Sequence, residues 1–298
     1  QPDRTASDYL GLVARGFCMG AADIVPGVSG GTMAFILGIY EELIDAIKSV
    51  DRRLILTLSR LRFKDAAHIL PWRFLLALGS GIVLAILSLA RILETQLELH
   101  PSRVWAFFFG LVLASVVTVS RTVRHWNLVA VCAMLLTLAI GYLLAGAVPV
   151  HTPETPWYLL LSGALAICAM ILPGISGAFI LVLLGKYQFI LAAINNRDII
   201  TIALVAAGAA LGLVSFARII SWLFTKHHDT TVSALTGLML GSLRKIWPWK
   251  ATQATSIDPH ANIMAHAPAN VFPSVFDHEL GLTIGVALIG FVVILVIA

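Results

Sequence analysis

The stretch Asp23-Ile24-Val25-Pro26-Gly27-Val28-Ser29-Gly30-Gly31-Thr32 interrupts apolar sequence and returns as Pro173-Gly174-Ile175-Ser176-Gly177-Ala178. Pro173 follows Pro26 by 147 positions, and the same offset relates Gly38 and Tyr40 to Gly185 and Tyr187, and Ala46-Ile47 to Ala193-Ile194. Pro removes an amide donor and ends a helix. The glycines admit positive φ and close backbone approach. Two helix breaks at matching places in two apolar halves point to a transporter-type binding site. Broken backbone is tolerated at membrane depth only inside protein or beside a wet cavity.

The composition agrees with burial in lipid. Of 298 residues, 59% are hydrophobic and 12% charged, with a mean hydropathy of +0.92; soluble domains carry roughly 25% charged residues. An all-α polytopic membrane protein is predicted. The start shows no basic segment followed by a cleavage site, so no signal peptide is predicted. Cys18, Cys132 and Cys168 lie in apolar segments without CxxC spacing and read as free core thiols, with no metal site. The net charge of +4 belongs to membrane-flanking loops and is no signal for nucleic acid.

Two inverted repeats are predicted. The first, 1–150, holds a re-entrant helical hairpin over 8–48 and spans at 72–91, 104–120 and 127–147. The second, 151–298, holds a hairpin over 157–194 and spans at 199–224, 231–247 and 280–298. Ser88-Leu89-Ala90-Arg91-Ile92 matches Ser215-Phe216-Ala217-Arg218-Ile219 at an offset of 127 (218 less 91). Gly110 through Ser115 matches Gly237 through Ser242 at the same offset. The offset falls from 147 to 127 because the basic linker around 49–71 belongs to the first half alone. A hairpin returns to its own side and three spans are odd, so the second half is inverted. Two full crossings per hairpin would give the same parity. Lys and Arg concentrate on the side of the N-terminus, which places both termini in the cytoplasm. Residues 248–279 then form an external loop.

Each break can hold an anion. The first turn of the second hairpin arm, near Gly30 to Thr32, leaves amides unpaired at the positive end of the helix dipole. Ser29 and Thr32 add hydroxyls, and Ser176 and Gly177 offer a second such end. The phosphate-site candidates are therefore Ser29, Gly30, Gly31, Thr32, Ser176 and Gly177. The competing reading gives these glycines only a helix-packing role.

Charges at membrane depth are costly and tend to be functional. Asp23 has three roles open to it: capping a helix end, pairing with Arg15, or carrying a coupling H⁺ or Na⁺. Its counterpart in the second half is Met170. Arg91 and Arg218 correspond to each other and either pass a phosphate in and out or snorkel to the interface. Arg244 and Lys245 sit at the outer end of a span, against the positive-inside trend, and join the phosphate-site candidates. Lys186 falls in a hairpin arm. Glu41, Glu42 and Asp45 read as a solvated face, Glu94 and Glu98 as surface in a short outer connection. His260, His266 and His278 are scattered along the external loop.

Gly20-Ala21-Ala22-Asp23 through Thr32, followed by Gly38-Ile39-Tyr40, resembles a bacterial and archaeal membrane family associated with undecaprenyl-phosphate translocation. The resemblance covers essentially the whole chain. It implies a non-enzymatic translocase with no cofactor, set in the bacterial cytoplasmic membrane. Its substrate would be undecaprenyl phosphate, the lipid carrier of peptidoglycan and other envelope polymers, returned from the outer to the cytoplasmic leaflet. Membrane lipid would be its other partner, and the oligomeric state stays open. Two rivals share the features. A carrier of a small soluble anion would use the same helix ends. Membrane undecaprenyl-pyrophosphate phosphatases also carry a Pro-Gly-x-Ser element, but with Arg-Ser following and a Glu-x-x-x-Glu motif. Here Gly30 and Gly177 stand at that Arg position and no such Glu-x-x-x-Glu pair lies near either hairpin, since Glu94 and Glu98 are elsewhere, so the charge stabilisers of phosphoryl transfer are missing.

Overall fold

A computed structural model describes residues 4–25, 28–251, 270–273 and 278–297. Fourteen α-helices and no strand are formed among the described residues, with one isolated bridge between Lys250 and Asn270. Local signals start several of them. Thr5 and Asp8 form a capping box at the head of α1 (Ala6–Ile24). The Asn127 side chain accepts from the Ala130 amide at the start of α8 (Leu128–Ala145), and Asp198 accepts from that of Thr201 at the start of α12 (Ile199–Lys226). Pro101 and Pro156 occupy the first turns of α7 (Pro101–Ser120) and α9 (Pro156–Ile171).

Among the described residues, five helices are long and apolar enough to cross a membrane: α6 (Trp72–Leu99), α7, α8, α12 and α14 (His278–Ile297). The sequence places a span at 231–247. That region forms α13 (His228–Ser242), only 15 residues long and the most enclosed of the late helices. A span needs ~20 residues when lipid surrounds it; α13 is surrounded by protein instead. The span at 72–91 also runs further, to Leu99, so Glu94 and Glu98 lie on the exposed surface of α6 and not in a connection.

The helices pack as four tight pairs: α1 on α6, α9 on α12, α7 on α14, and α8 on α13. Glycines carry each seam. A β-carbon on Gly81 would overlap the Val13 carbonyl, on Gly208 that of Leu160, on Gly110 that of Ala287, and on Gly237 that of Met134. In lipid the driving force is close contact, since acyl chains are as apolar as leucine. The outward faces carry the lipid surface, with Leu87 81% and Leu136 63% exposed. The core lies where α2 (Gly30–Ile36), α3 (Tyr40–Lys48), α7, α12 and α13 meet, around Phe108, Leu111, Ile220, Phe224 and Met239.

The second arm of each hairpin is not one helix. In the first, α2 and α3 are separated by Gly38 at φ +68°. In the second, α10 (Gly177–Leu183) and α11 (Tyr187–Asn195) are separated by Gly185 at φ +65° and bend by 104°. Glycine is the residue that adopts this left-handed conformation without strain. The repeat of Gly38-x-Tyr40 in Gly185-x-Tyr187 already held that signal.

Within the linker, α4 (Arg52–Ser59) and α5 (Phe63–Ile69) form two short helices. Cys132 is exposed, which corrects its reading as a core thiol; Cys18 and Cys168 are half-buried, and all three are free.

Candidate functional site

The two turns meet. The chain leaves α1 after Ile24, re-enters a helix at Gly30, and there touches the break after α9. Thr32 Oγ1 accepts a hydrogen bond from the Gly174 amide at 2.8 Å. Ser29 Oγ lies 3.3 Å from the Met170 carbonyl and 3.4 Å from that of Leu172, donating toward both. These carbonyls end α9 and have no partner within it. A β-carbon on Gly31 would stand 2.7 Å from the Ile171 carbonyl oxygen. Ser29 and Thr32 are 2% and 1% exposed, so the junction is internal. Pro26 and Gly27 lie outside the described residues.

The amides that open α2 are occupied. Asp23 Oδ1 accepts from the Gly30 amide at 2.6 Å, and Ser29 Oγ accepts from that of Gly31 at 3.2 Å. Of the three roles open to Asp23, the structure displays capping. No ion pair joins it to Arg15 among the described residues, which corrects the pairing expectation. The carboxylate turns toward the amides at the helix start, where a negative charge is held by both hydrogen bonds and dipole.

The second turn is organised differently. Ser176 stands at the cap position of α10, and its side chain caps nothing. Met170 replaces the acid that serves the first turn. A cavity of about 20 Å³, room for a single water, opens between Gly174, Ile175, Ser176, Phe179, Ser242 and Lys245. The Lys245 ammonium lies 4.3 Å above the Phe179 ring, a cation–π contact. A β-carbon on Gly177 would stand 2.6 Å from the Ala166 carbonyl oxygen, so this glycine also lets α10 approach α9.

The basic candidates separate. Lys245 reaches the second turn. Arg244 points elsewhere: its guanidinium stacks 4.3 Å over Tyr142 and donates to the Tyr142 carbonyl at 3.0 Å. Arg91 and Arg218 are exposed on α6 and α12, and among the described residues neither bonds to a turn. Lys250, which sequence reasoning passed over, completes a basic cluster. Its ammonium donates to the carbonyls of Arg244 and Lys245 and to Asn270 Oδ1. Burial, then the charges of Lys245 and Arg244, push its pKa down to about 8. None of the three pairs with a carboxylate among the described residues.

Lys186 was also underread. It is 1% exposed at the start of α11, donating to the Thr152 carbonyl at 2.6 Å and lying 5.5 Å over the Phe189 ring. It ties the bend after α10 to the chain before α9. Glu41 and Asp45 face α12 and α13: Ser221 Oγ donates to Asp45, Lys48 donates to Ser221, and His228 lies 3.6 Å from Glu41. Glu42 pairs with Arg4 at 2.7 Å. These acids thus tie helices together, beyond the solvated face expected of them. His260 and His266 lie outside the described residues; His278 begins α14.

With both turns in place, the comparison with known proteins is direct. Residues 19–264, which include both turns, match the family model described as VCA0040-like, undecaprenyl phosphate translocase-like. The chain belongs to this family. Among the family's curated relatives, a polyprenyl-phosphate transporter of Vibrio cholerae serotype O1 is 38% identical over 270 residues, covering 91% of this chain and 88% of the relative. A polyprenyl-phosphate transporter of Staphylococcus aureus is 30% identical over 254 residues, covering 79% and 85%. No solved structure matches significantly.

Proposed function

We propose that this protein moves undecaprenyl phosphate, or a close polyprenyl phosphate, across the bacterial cytoplasmic membrane and returns it to the inner leaflet for reuse in envelope synthesis. One observation carries the reading: the two Pro-Gly-x-Ser-Gly breaks touch each other, through Thr32 and Gly174, inside a helical membrane protein of this family. In our reading the halves 1–150 and 151–298 are inverted repeats around that junction, with both termini cytoplasmic. The first hairpin then enters from inside and the second from outside, and alternating access exposes the junction to one leaflet at a time.

The headgroup site follows from what remains available. Lys245, Ser176 and Ser242 surround the small cavity beside the second turn, where no carboxylate competes. Lys245 supplies charge, the Ser176 hydroxyl supplies a donor while that of Ser242 is held by the Met239 carbonyl, and Gly174 and Gly177 let the backbone come close. At the first turn Asp23 occupies the position an anion would take. Protonation of Asp23 would weaken its hold on the Gly30 amide and remove the repulsion toward a phosphate, which couples the cycle to H⁺. The tail stays in lipid, so only the phosphate needs shelter. Arg244, Arg91 and Arg218 serve, in this reading, as outlying positive charge along the way to the junction.

The test is leaflet exchange in proteoliposomes carrying the purified protein and a fluorescent polyprenyl phosphate, read by an impermeant quencher. Faster exchange than in protein-free vesicles is expected, with no uptake of inorganic phosphate and no release of phosphate from undecaprenyl pyrophosphate. Exchange equal to that in empty vesicles overturns the proposal. Phosphate release would return the phosphatase reading.

A further inference from the structure

Away from the junction, α1 carries a groove of about 520 Å³. Its walls are Gly11, Ala14, Arg15 and Cys18 on α1 and the bend at Ile36–Gly38. The fold explains why the groove is there. At 1.5 Å per residue, the 19 residues of α1 span about 28 Å and the seven of α2 about 10 Å. Returning from the break, α2 therefore covers only the deep end of α1. At Gly38 the chain turns away, and α3 packs on α12 instead. The Gly11–Cys18 face is left bare, and a β-carbon added to Gly11 or Gly38 meets nothing within 4 Å. The second half lacks this device. At the 147 offset, Tyr158, Leu161 and Leu165 stand where Gly11, Ala14 and Cys18 stand here, and Ser162 replaces Arg15.

Arg15 gives the groove its chemistry. It is exposed at the groove wall and forms no ion pair among the described residues. Asp23, the acid on the same helix, is turned to Gly30. The next residue, Gly16, packs against Leu78, six residues into α6. That is about 9 Å along a helix of about 42 Å. The uncharged stretch of α6 begins at Phe74, four residues or about 6 Å before Leu78, so Arg15 stands just inside the hydrocarbon boundary. An unpaired guanidinium there seeks an anion, and it offers a planar fork of donors suited to phosphate. The apolar trough beside it seeks a chain. One molecule that satisfies both is a phosphate monoester on a branched hydrocarbon.

We propose that Arg15 and this groove form a release site for the polyprenyl phosphate at the cytoplasmic boundary, the guanidinium holding the phosphate and the Gly11–Ala14–Cys18 trough holding the first isoprene units. The site lies on the first hairpin only, so the lipid is handed to the inner leaflet asymmetrically although the junction is built from two similar turns. This inference rests on the function proposed above.

The experiment is ligand binding to the full-length protein in nanodiscs, with undecaprenyl phosphate, inorganic phosphate and phosphatidylglycerol as separate probes. Native protein is compared with Arg15→Gln, Arg15→Lys, Gly11→Leu and Lys245→Gln. Gly11→Leu fills open space and raises helix propensity, so it tests the groove without threatening the fold; thermal unfolding checks this. Arg15→Gln and Gly11→Leu should each weaken undecaprenyl phosphate binding about tenfold, with Arg15→Lys between native and Arg15→Gln. Inorganic phosphate should bind weakly and be unaffected by Gly11→Leu. Native affinity in both Arg15→Gln and Gly11→Leu overturns the release site. So does equal competition by phosphatidylglycerol, which would make this a general anionic-lipid surface, or binding of inorganic phosphate as tight as that of the lipid. If those variants bind normally while Lys245→Gln does not, the release site falls and the proposed function stands. If the native protein binds no polyprenyl phosphate, both fall.

Discussion

Thr32 and Gly174 are 142 residues apart in sequence, yet the hydroxyl of one accepts the amide of the other at 2.8 Å inside the protein. Through this bond a side chain of the first half completes the broken backbone of the second. Ser29 repeats the arrangement by donating toward the last carbonyls of α9. Hydroxyls that sequence reasoning assigned to a ligand hold the two turns together in this conformation. A cycle that opens the junction must exchange these bonds for bonds to phosphate or water.

Thr32→Val keeps the side-chain shape and removes the acceptor. The half-buried Gly174 amide then loses its partner, which costs about 1 kcal/mol. We expect a lower unfolding temperature in detergent and slower leaflet exchange, with Thr32→Ser restoring most of both. Native stability in Thr32→Val would mean that the bond contributes nothing to the junction.

Asp23 separates two roles by substitution. Asp23→Ala removes the acceptor for the Gly30 amide and should cost about 1 kcal/mol, as loss of a helix cap does. Asp23→Asn keeps an oxygen for that amide but cannot titrate. It should fold normally and flatten the pH profile of transport in proteoliposomes. If Asp23→Asn transports with the native pH profile, Asp23 is a cap alone.

Lys250 makes a separate pH prediction. Its folded pKa of about 8 lies below the 10.5 of a free lysine. Between those values the unfolded chain holds a proton that the folded chain has released, so Lys250's contribution to stability rises with pH across that window. Its charged form, repelled by Arg244 and Lys245, is the less stable one below it. A phosphate at this cluster would favour the charged form, so phosphate binding should weaken as pH rises through about 8. Lys250→Met should remove both effects. They are read as the change in unfolding temperature from pH 7 to 9.5 and as lipid affinity over the same range.

Two glycines test the seams against open surface. A β-carbon on Gly208 would overlap the Leu160 carbonyl, whereas one on Gly79 meets nothing within 4 Å. Gly208→Ala should force α9 from α12 and lower folded yield in the membrane. Gly79→Ala should be neutral or stabilising, by up to ~1 kcal/mol, from helix propensity. Equal yields of the two variants would show that the α9–α12 seam tolerates a wider spacing.

Much of this protein was legible in the sequence because the signals are local. Apolar runs with few charges dictate membrane helices, since unpaired backbone polar groups are too costly in hydrocarbon. Pro173, the glycines and the serines mark the breaks, and α2 and α10 begin at Gly30 and Gly177 as their spacing requires. The extra bends at Gly38 and Gly185 were marked by the repeat itself, although a period of apolar residues runs across them unbroken. What only the tertiary structure decided is which partner each polar group takes. Asp23 caps Gly30 and leaves Arg15 unpaired; Arg244 stacks on Tyr142 while its neighbour Lys245 reaches the second turn. The enclosure of α13 by other helices, which frees it from the length a lipid-facing span needs, is likewise absent from its own 15 residues. Helix periods and turn residues act over a few positions. Hydrogen bonds across the junction join chain segments more than a hundred residues apart, brought together by glycine seams that set the distance between helix axes.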